Sequence, residues 1–172
     1  MAAEGGVKKA LLVGNGPSIL DAPMGSTIDA FDGTVVRFNE FILEPVECTG
    51  TRTDVWIICW ASHRAVYGMH PELAFGHTKV PRHIQYKDRE TRFRSTGIAA
   101  MYWFLEQGYE VVLHGFDHFD LERRKSYFDH DRGTWLCKDY MRGGTRPCHN
   151  KDREMVEEVM AEGQPVRYLC TT

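Results

Sequence analysis

Four short stretches of this chain carry residue types suited to holding a ligand. Gly14-Asn15-Gly16-Pro17-Ser18 follows one apolar run, and Arg37-Phe38-Asn39-Glu40 closes a second. Gly115-Phe116-Asp117 closes a third, and Ser95-Thr96-Gly97 opens an apolar segment. Two asparagine amides, several hydroxyls and glycine-exposed backbone are neutral hydrogen-bonding groups. They suit a phosphate and a ribose better than a catalytic proton transfer. No lysine follows the first glycine loop, so this is not a Walker A site. Gly14-x-Gly16 lacks the third glycine of the dinucleotide fingerprint, and the chain soon meets Pro17 rather than a helix packed on a pyrophosphate; NAD is disfavoured.

Each of these residues also has a plain structural use. Asn15 suits an Asx-turn and Asn39 a turn cap. His149 suits a helix cap, and Glu154 complements a helix dipole in the first turn. Arg52 and Asp54 in "GTRTDVW" read as a structural ion pair or loop clamp. Asp129-His130-Asp131 mimics a short D-x-D metal pattern, which we weigh low because it is so short. His63, His70, His77 and His83 are spread through loops and carry no assignment.

The elements that must position these residues alternate in type. Strands are expected at 9–13, 34–38, 54–60, 110–117 and 165–170, all rich in β-branched or aromatic residues. A further strand is expected at 79–86, at an edge because Pro81 lacks the ladder N–H. Residues 95–108 read as a helix capped by Ser95 or Thr96, apolar nearly all round and closed by Gly108. Such a helix is buried between layers, which makes Tyr102-Trp103-Phe104 core. Residues 150–163 read as an amphipathic helix with Met155, Val156, Val159 and Met160 on one stripe. This alternation predicts an α/β, Rossmann-like, mostly parallel sheet with helices on both faces, and ligands then lie beyond the carboxyl ends of the strands.

With 172 residues, 42 % of them apolar, the chain can fill one core, so residues 1–172 read as a single domain with a lid at 118–148. The net charge of −3 argues against a sequence-independent grip on nucleic acid, and the basic run 87–94 reads as solvated surface. No transmembrane segment and no signal-peptide core is present, which predicts a cytoplasmic protein. The five cysteines (48, 59, 137, 148 and 170) lack metal-site spacing and read as free thiols; a Cys137–Cys148 pairing stays open.

Considered jointly, the motifs resemble those of a known family. "LLVGNGPSILDA…IDAFDGTVVRFNEF…GTRTDVWII" resembles the large sialylmotif of eukaryote-type sialyltransferases and the A-G-N-G-P-S…F-R-x-N-x-F pattern of bacterial ones. "RSTGIAAMYWFLEQGYEVVLHGFD" looks like the small sialylmotif. "SYFD" (126–129) is similar to the third motif, and "HNKDRE" (149–154) matches the very small motif, H-x4-E. Together they cover roughly three quarters of the chain in the family's order, which none of them could establish alone.

The resemblance implies a GT-A-like variant fold. It also implies a metal-independent, inverting glycosyltransferase without a cofactor, moving a sialic acid or related keto acid sugar from a CMP-sugar donor to a glycan acceptor. Carried over, Asn15 with its loop (Gly16, Ser18) and Asn39 bind the CMP phosphate and ribose. Ser95, Thr96 and Gly97 hold the phosphate or sugar carboxylate, Gly115 and Phe116 line the cytosine pocket, and Tyr127 donates to the departing phosphate. His149 is the general base. Hydroxyls, amides and a helix N-terminus can stabilise a single departing phosphate, and one histidine near its usual pKa of about 6.5 can take the acceptor proton.

The chain departs from the family pattern in places. Ser126 replaces the histidine of the third motif, with His118 or His130 as substitutes. Phe119 stands for a tyrosine, Arg94 for a proline, and no cysteine precedes Gly14 to form the Golgi enzymes' disulfide. A CMP-sugar hydrolase and a catalytically degenerate nucleotide-binding domain are the rival functions.

Overall fold

Lys9–Val13 is buried almost throughout, and its side chains divide between two cores. Ala10 and Leu12 point into one core, Leu11 and Val13 into the other. A strand covered on both faces belongs in the middle of a parallel sheet, and that is where it lies. The computed structural model describes residues 6–39, 41–58, 77–78, 83–86, 89–92, 95–118 and 149–169.

The main sheet is formed by β1 (Lys9–Val13), β2 (Thr34–Phe38), β3 (Val55–Ile57), β4 (His77–Thr78), β7 (Glu110–His114) and β8 (Val166–Tyr168). Its order is β4-β3-β2-β1-β7-β8, and every neighbouring pair is parallel. The chain builds outward from β1 to β4, then returns to lay β7 on the other side of β1. The order therefore reverses between β1 and β7, where an open α/β sheet leaves a crevice beyond its carboxyl ends.

Helices cover both faces. On one, α3 (Thr96–Glu106) and α4 (His149–Ala161) bury Ile98, Met101, Tyr102, Val156 and Val159 against Leu12, Val36, Val111 and Leu113. On the other, the 3-10 turn Pro17–Leu20 and α1 (Gly25–Asp29) bury Ile19 and Ile28 against Leu11, Val35 and Val112. A short α2 (Val46–Thr49) lies against α1. Burying a side chain the size of Leu or Ile contributes about 1.5–3 kcal/mol, so this double layer dominates the stabilisation.

Several expectations are corrected. Residues 83–86 do not form an edge strand of the main sheet, and 79–82 lie outside the described residues. That edge is β4, while β5 (His83–Tyr86) pairs antiparallel with β6 (Arg89–Arg92) in a separate two-stranded sheet. The register Tyr86↔Arg89 leaves two residues for the connection, the shortest hairpin spacing. It draws part of the basic run 87–94 into a strand. The third strand shortens to 55–57 and the fifth ends at His114, where Gly115 turns at φ +68°. In α4, Met160 is 36 % exposed rather than part of the buried stripe, and Asp152, 2 % exposed, lies within it.

The aromatic run of α3 is core as expected, with Tyr102 and Phe104 buried. Cys48 is a buried free thiol, and the other four cysteines lie outside the described residues. No described helix is long and apolar enough to cross a membrane.

Candidate functional site

The first glycine loop rests on the backbone that follows β7. Gly14 N–H donates to the His114 carbonyl at 2.7 Å and Gly16 N–H to the Gly115 carbonyl at 2.8 Å. A Cβ on Gly14 would collide with the Gly115 carbonyl, and one on Gly16 would stand 2.6 Å from the same oxygen. The glycines thus have a use the dinucleotide fingerprint does not supply: they let the loops after β1 and β7 touch. Ser18 N–H completes the join by donating to Asp117 Oδ2 at 2.9 Å.

Both asparagines hold elements together. Asn15 Nδ2 donates to the Phe38 carbonyl at 3.2 Å, tying the loop after β1 to the end of β2. Asn39 has φ +48°, a conformation asparagine tolerates better than most residues. Its N–H donates to Ile57 O at 2.9 Å, and its carbonyl accepts from Trp56 Nε1 at 2.7 Å. Its side-chain Nδ2 donates to Thr96 Oγ1 at 3.3 Å, joining β2 to the start of α3. Ser95 Oγ accepts from Ile98 N–H at 3.3 Å, so the expected cap of α3 is present.

Phe116 wedges into the same corner. Its ring lies so close to Gly97 that a Cβ there would stand 2.6 Å from it, and it meets Phe38 edge-on at 6.1 Å. His118 follows at φ +50°, 6.4 Å ring to ring from Phe116, with its Nε2 2.7 Å from the Tyr168 hydroxyl.

Burial, with Arg153 adding to it, lowers the His118 pKa; Asp117 and Glu157 oppose. His114 is lowered by burial and by Arg37, against Asp117. Its Nε2 has no hydrogen-bond partner among the described residues. Burial raises the Tyr168 pKa, as does Glu157, against Arg153.

Asn15, Gly16, Ser18, Asn39, Ser95, Thr96, Gly97, Gly115 and Phe116 therefore meet at one end of the sheet, around the β1/β7 reversal. His149 is the first residue of α4. Because α4 runs back to feed parallel β8, its N-terminus belongs to that same end. The His149 side chain lies outside the described residues, as do Ser126, Tyr127, the Asp129-His130-Asp131 pattern, Phe119 and the rest of the expected lid.

Sequence reasoning assigned no role to Asp117, His114 or Tyr168. Asp117 stood in a quoted strand-end motif, but its partner is 99 residues away. Arg52 and Asp54 form the expected clamp, with Nη2–Oδ2 at 2.8 Å. The Arg52 fork also donates to the Phe31 and Gly33 carbonyls, each at 2.6 Å.

A likeness to solved structures accompanies this geometry. A mammalian sialyltransferase in complex with Gal-beta-1-3GalNAc-ortho-nitrophenol superposes with a TM-score of 0.57 at 16 % identity, over 95 % of this chain and 69 % of its own. The sialyltransferase CstII from Campylobacter jejuni, bound to the substrate analogue CMP-3FNeuAc, does so with 0.63 at 14 % identity, over 95 % and 82 %. The fold is sialyltransferase-like. No protein-family model matches the chain, and no curated protein sequence does. In this sialyltransferase-like fold the nine gathered residues stand at the carboxyl end of the sheet, where its strand order reverses.

Proposed function

We propose that this chain is a metal-independent, inverting glycosyltransferase that transfers a sialic acid or related keto acid sugar from a CMP donor to a glycan acceptor. The observation that carries the reading is the convergence of the Asn15, Asn39 and Ser95–Gly97 segments at the sheet's reversal point, in a fold shared with a structure that binds CMP-3FNeuAc. Amides, hydroxyls and the α3 N-terminus are suited to the one phosphate that departs with CMP. Gly115 and Phe116 form the wall for the base. Tyr127 donates to the leaving phosphate, and His149, at the start of α4, takes the acceptor hydroxyl's proton.

The test is a thermal-shift titration with CMP, CDP, UDP, GDP and NAD, with and without EDTA, followed by CMP-sialic acid turnover over a glycan acceptor panel. Stabilisation by CMP that ignores EDTA, with acceptor-dependent CMP release, is expected. His149→Ala should fold, bind CMP and lose at least about a hundredfold in turnover, within the usual range for a general base. A His149→Ala protein turning over at the wild-type rate removes the assigned base. CMP release at equal rate without acceptor marks a hydrolase, and CMP binding without turnover a degenerate domain.

A further inference from the structure

Four rings follow one another across the carboxyl end of the sheet. Tyr168, at the end of β8, meets His118 edge-on at 6.2 Å, and His118 meets Phe116 at 6.4 Å. Phe116 in turn meets Phe38, at the end of β2, edge-on at 6.1 Å. Phe116 is the ring that the candidate site shares. A Cβ on Gly97 would stand 2.6 Å from it and one on Gly14 3.0 Å. It therefore touches the start of α3 and the loop after β1 as well as β2. A polar bond anchors the row at its far end, where His118 Nε2 lies 2.7 Å from the Tyr168 hydroxyl.

We propose that the His118–Tyr168 hydrogen bond positions Phe116 for nucleotide binding, which makes Tyr168, on the edge strand β8, a positioning residue for the donor. This rests on the CMP reading of the site. His118 holds φ +50°, a conformation that persists in a residue with a side chain where its neighbours over-determine it. Its described neighbours are the Tyr168 hydroxyl and the Phe116 ring. Phe116 is only two residues back along the chain, so a His118 that leaves Tyr168 carries the Phe116 backbone with it. A closely packed ring that moves loses its contacts with Gly97, Gly14 and Phe38 together.

The joint also responds to protons. Asp117 on the same loop, Arg153 and Glu157 from α4 and the Tyr168 hydroxyl from β8 act on His118. Burial and Arg153 outweigh the two acids and keep the imidazole neutral in the corner. A proton binds better to a His118 that has left the corner, so acid shifts the population that way.

The experiment is calorimetric titration of CMP into the full chain, as wild type, Tyr168→Phe and His118→Asn. It is run at about pH 7.5 and about pH 5.5, on either side of the ordinary histidine pKa. Circular dichroism confirms folding at each pH. Tyr168→Phe keeps the ring and removes only the hydroxyl. At the higher pH both variants should bind CMP roughly fivefold more weakly than wild type, the usual worth of one hydrogen bond. At the lower pH the three should converge to within about twofold, because wild type has then lost the same bond. The phosphate of CMP titrates alike in every comparison, so the ratios report the protein.

Variants that bind CMP as tightly as wild type at the higher pH overturn the proposal and leave the CMP reading standing. A loss of equal size at both pH values marks a general loosening of the corner and overturns it too. A wild type that binds no CMP at either pH overturns that reading and this inference with it. If Tyr168→Phe does not fold, His118→Asn decides by the same two comparisons.

Discussion

Asn39 shows how much one residue type can carry. Its left-handed backbone ends β2, its main chain is held by Ile57 and Trp56, and its amide reaches Thr96. A role in binding and a role in capping were both open from sequence, and the structure shows the amide spanning two elements. His118, the other non-glycine residue with positive φ among those described, bears on pH. Burial first, then Arg153, disfavours its protonated form, and burial with Arg37 does the same at His114. Both folded pKa values lie below the ordinary one, so the unfolded chain binds more protons in that window. Stability then rises with pH and is lost as pH falls through about 6.5. The melting temperature should fall between about pH 7.5 and about pH 5.5, and His118→Asn, which tolerates the positive φ, should flatten that slope. A slope identical to wild type would show that His118 contributes nothing.

Between elements, the joints are made by backbone acceptors and planar or charged side chains. Arg52 locks the β3 approach to the turn before β2 through Phe31 O, Gly33 O and Asp54. Asp29 in α1 receives Thr51 N–H and Arg52 N–H, each at 2.8 Å. The guanidinium fork makes several of these bonds at once, which a lysine ammonium does not reproduce. Arg52→Lys should therefore lower stability by about 1–3 kcal/mol in a denaturant titration, despite keeping the charge. A loss below about 0.5 kcal/mol would reduce the clamp to an ordinary surface ion pair. This joint was legible because "GTRTDVW" holds both partners within three residues. The Asp117–Ser18 and Asn39–Thr96 joints were not, because their partners are distant in sequence.

At the scale of the molecule, the crevice is a consequence of strand order. If CMP binds there, amide exchange should slow together at the loops 14–18, 95–98 and 115–118, while α1 at the opposite, amino-end side stays unchanged. Protection confined to α1 and the residues around Lys9 would place the nucleotide at the wrong end of the sheet. The alternating apolar runs determined on their own that the chain is α/β, with its central strands and both long helices nearly in place, because burial on two faces leaves a continuous apolar signature. Short elements such as α1, α2 and β4 escaped, since a few residues carry no readable period. The motifs marked which loops carry suitable chemistry. Only the tertiary structure decided that β7 lies beside β1, that Gly14 and Gly16 serve loop-to-loop contact, and that Asp117 accepts the Ser18 N–H. Those facts depend on pairings across some hundred residues, and local sequence holds no record of which distant backbone a loop will meet.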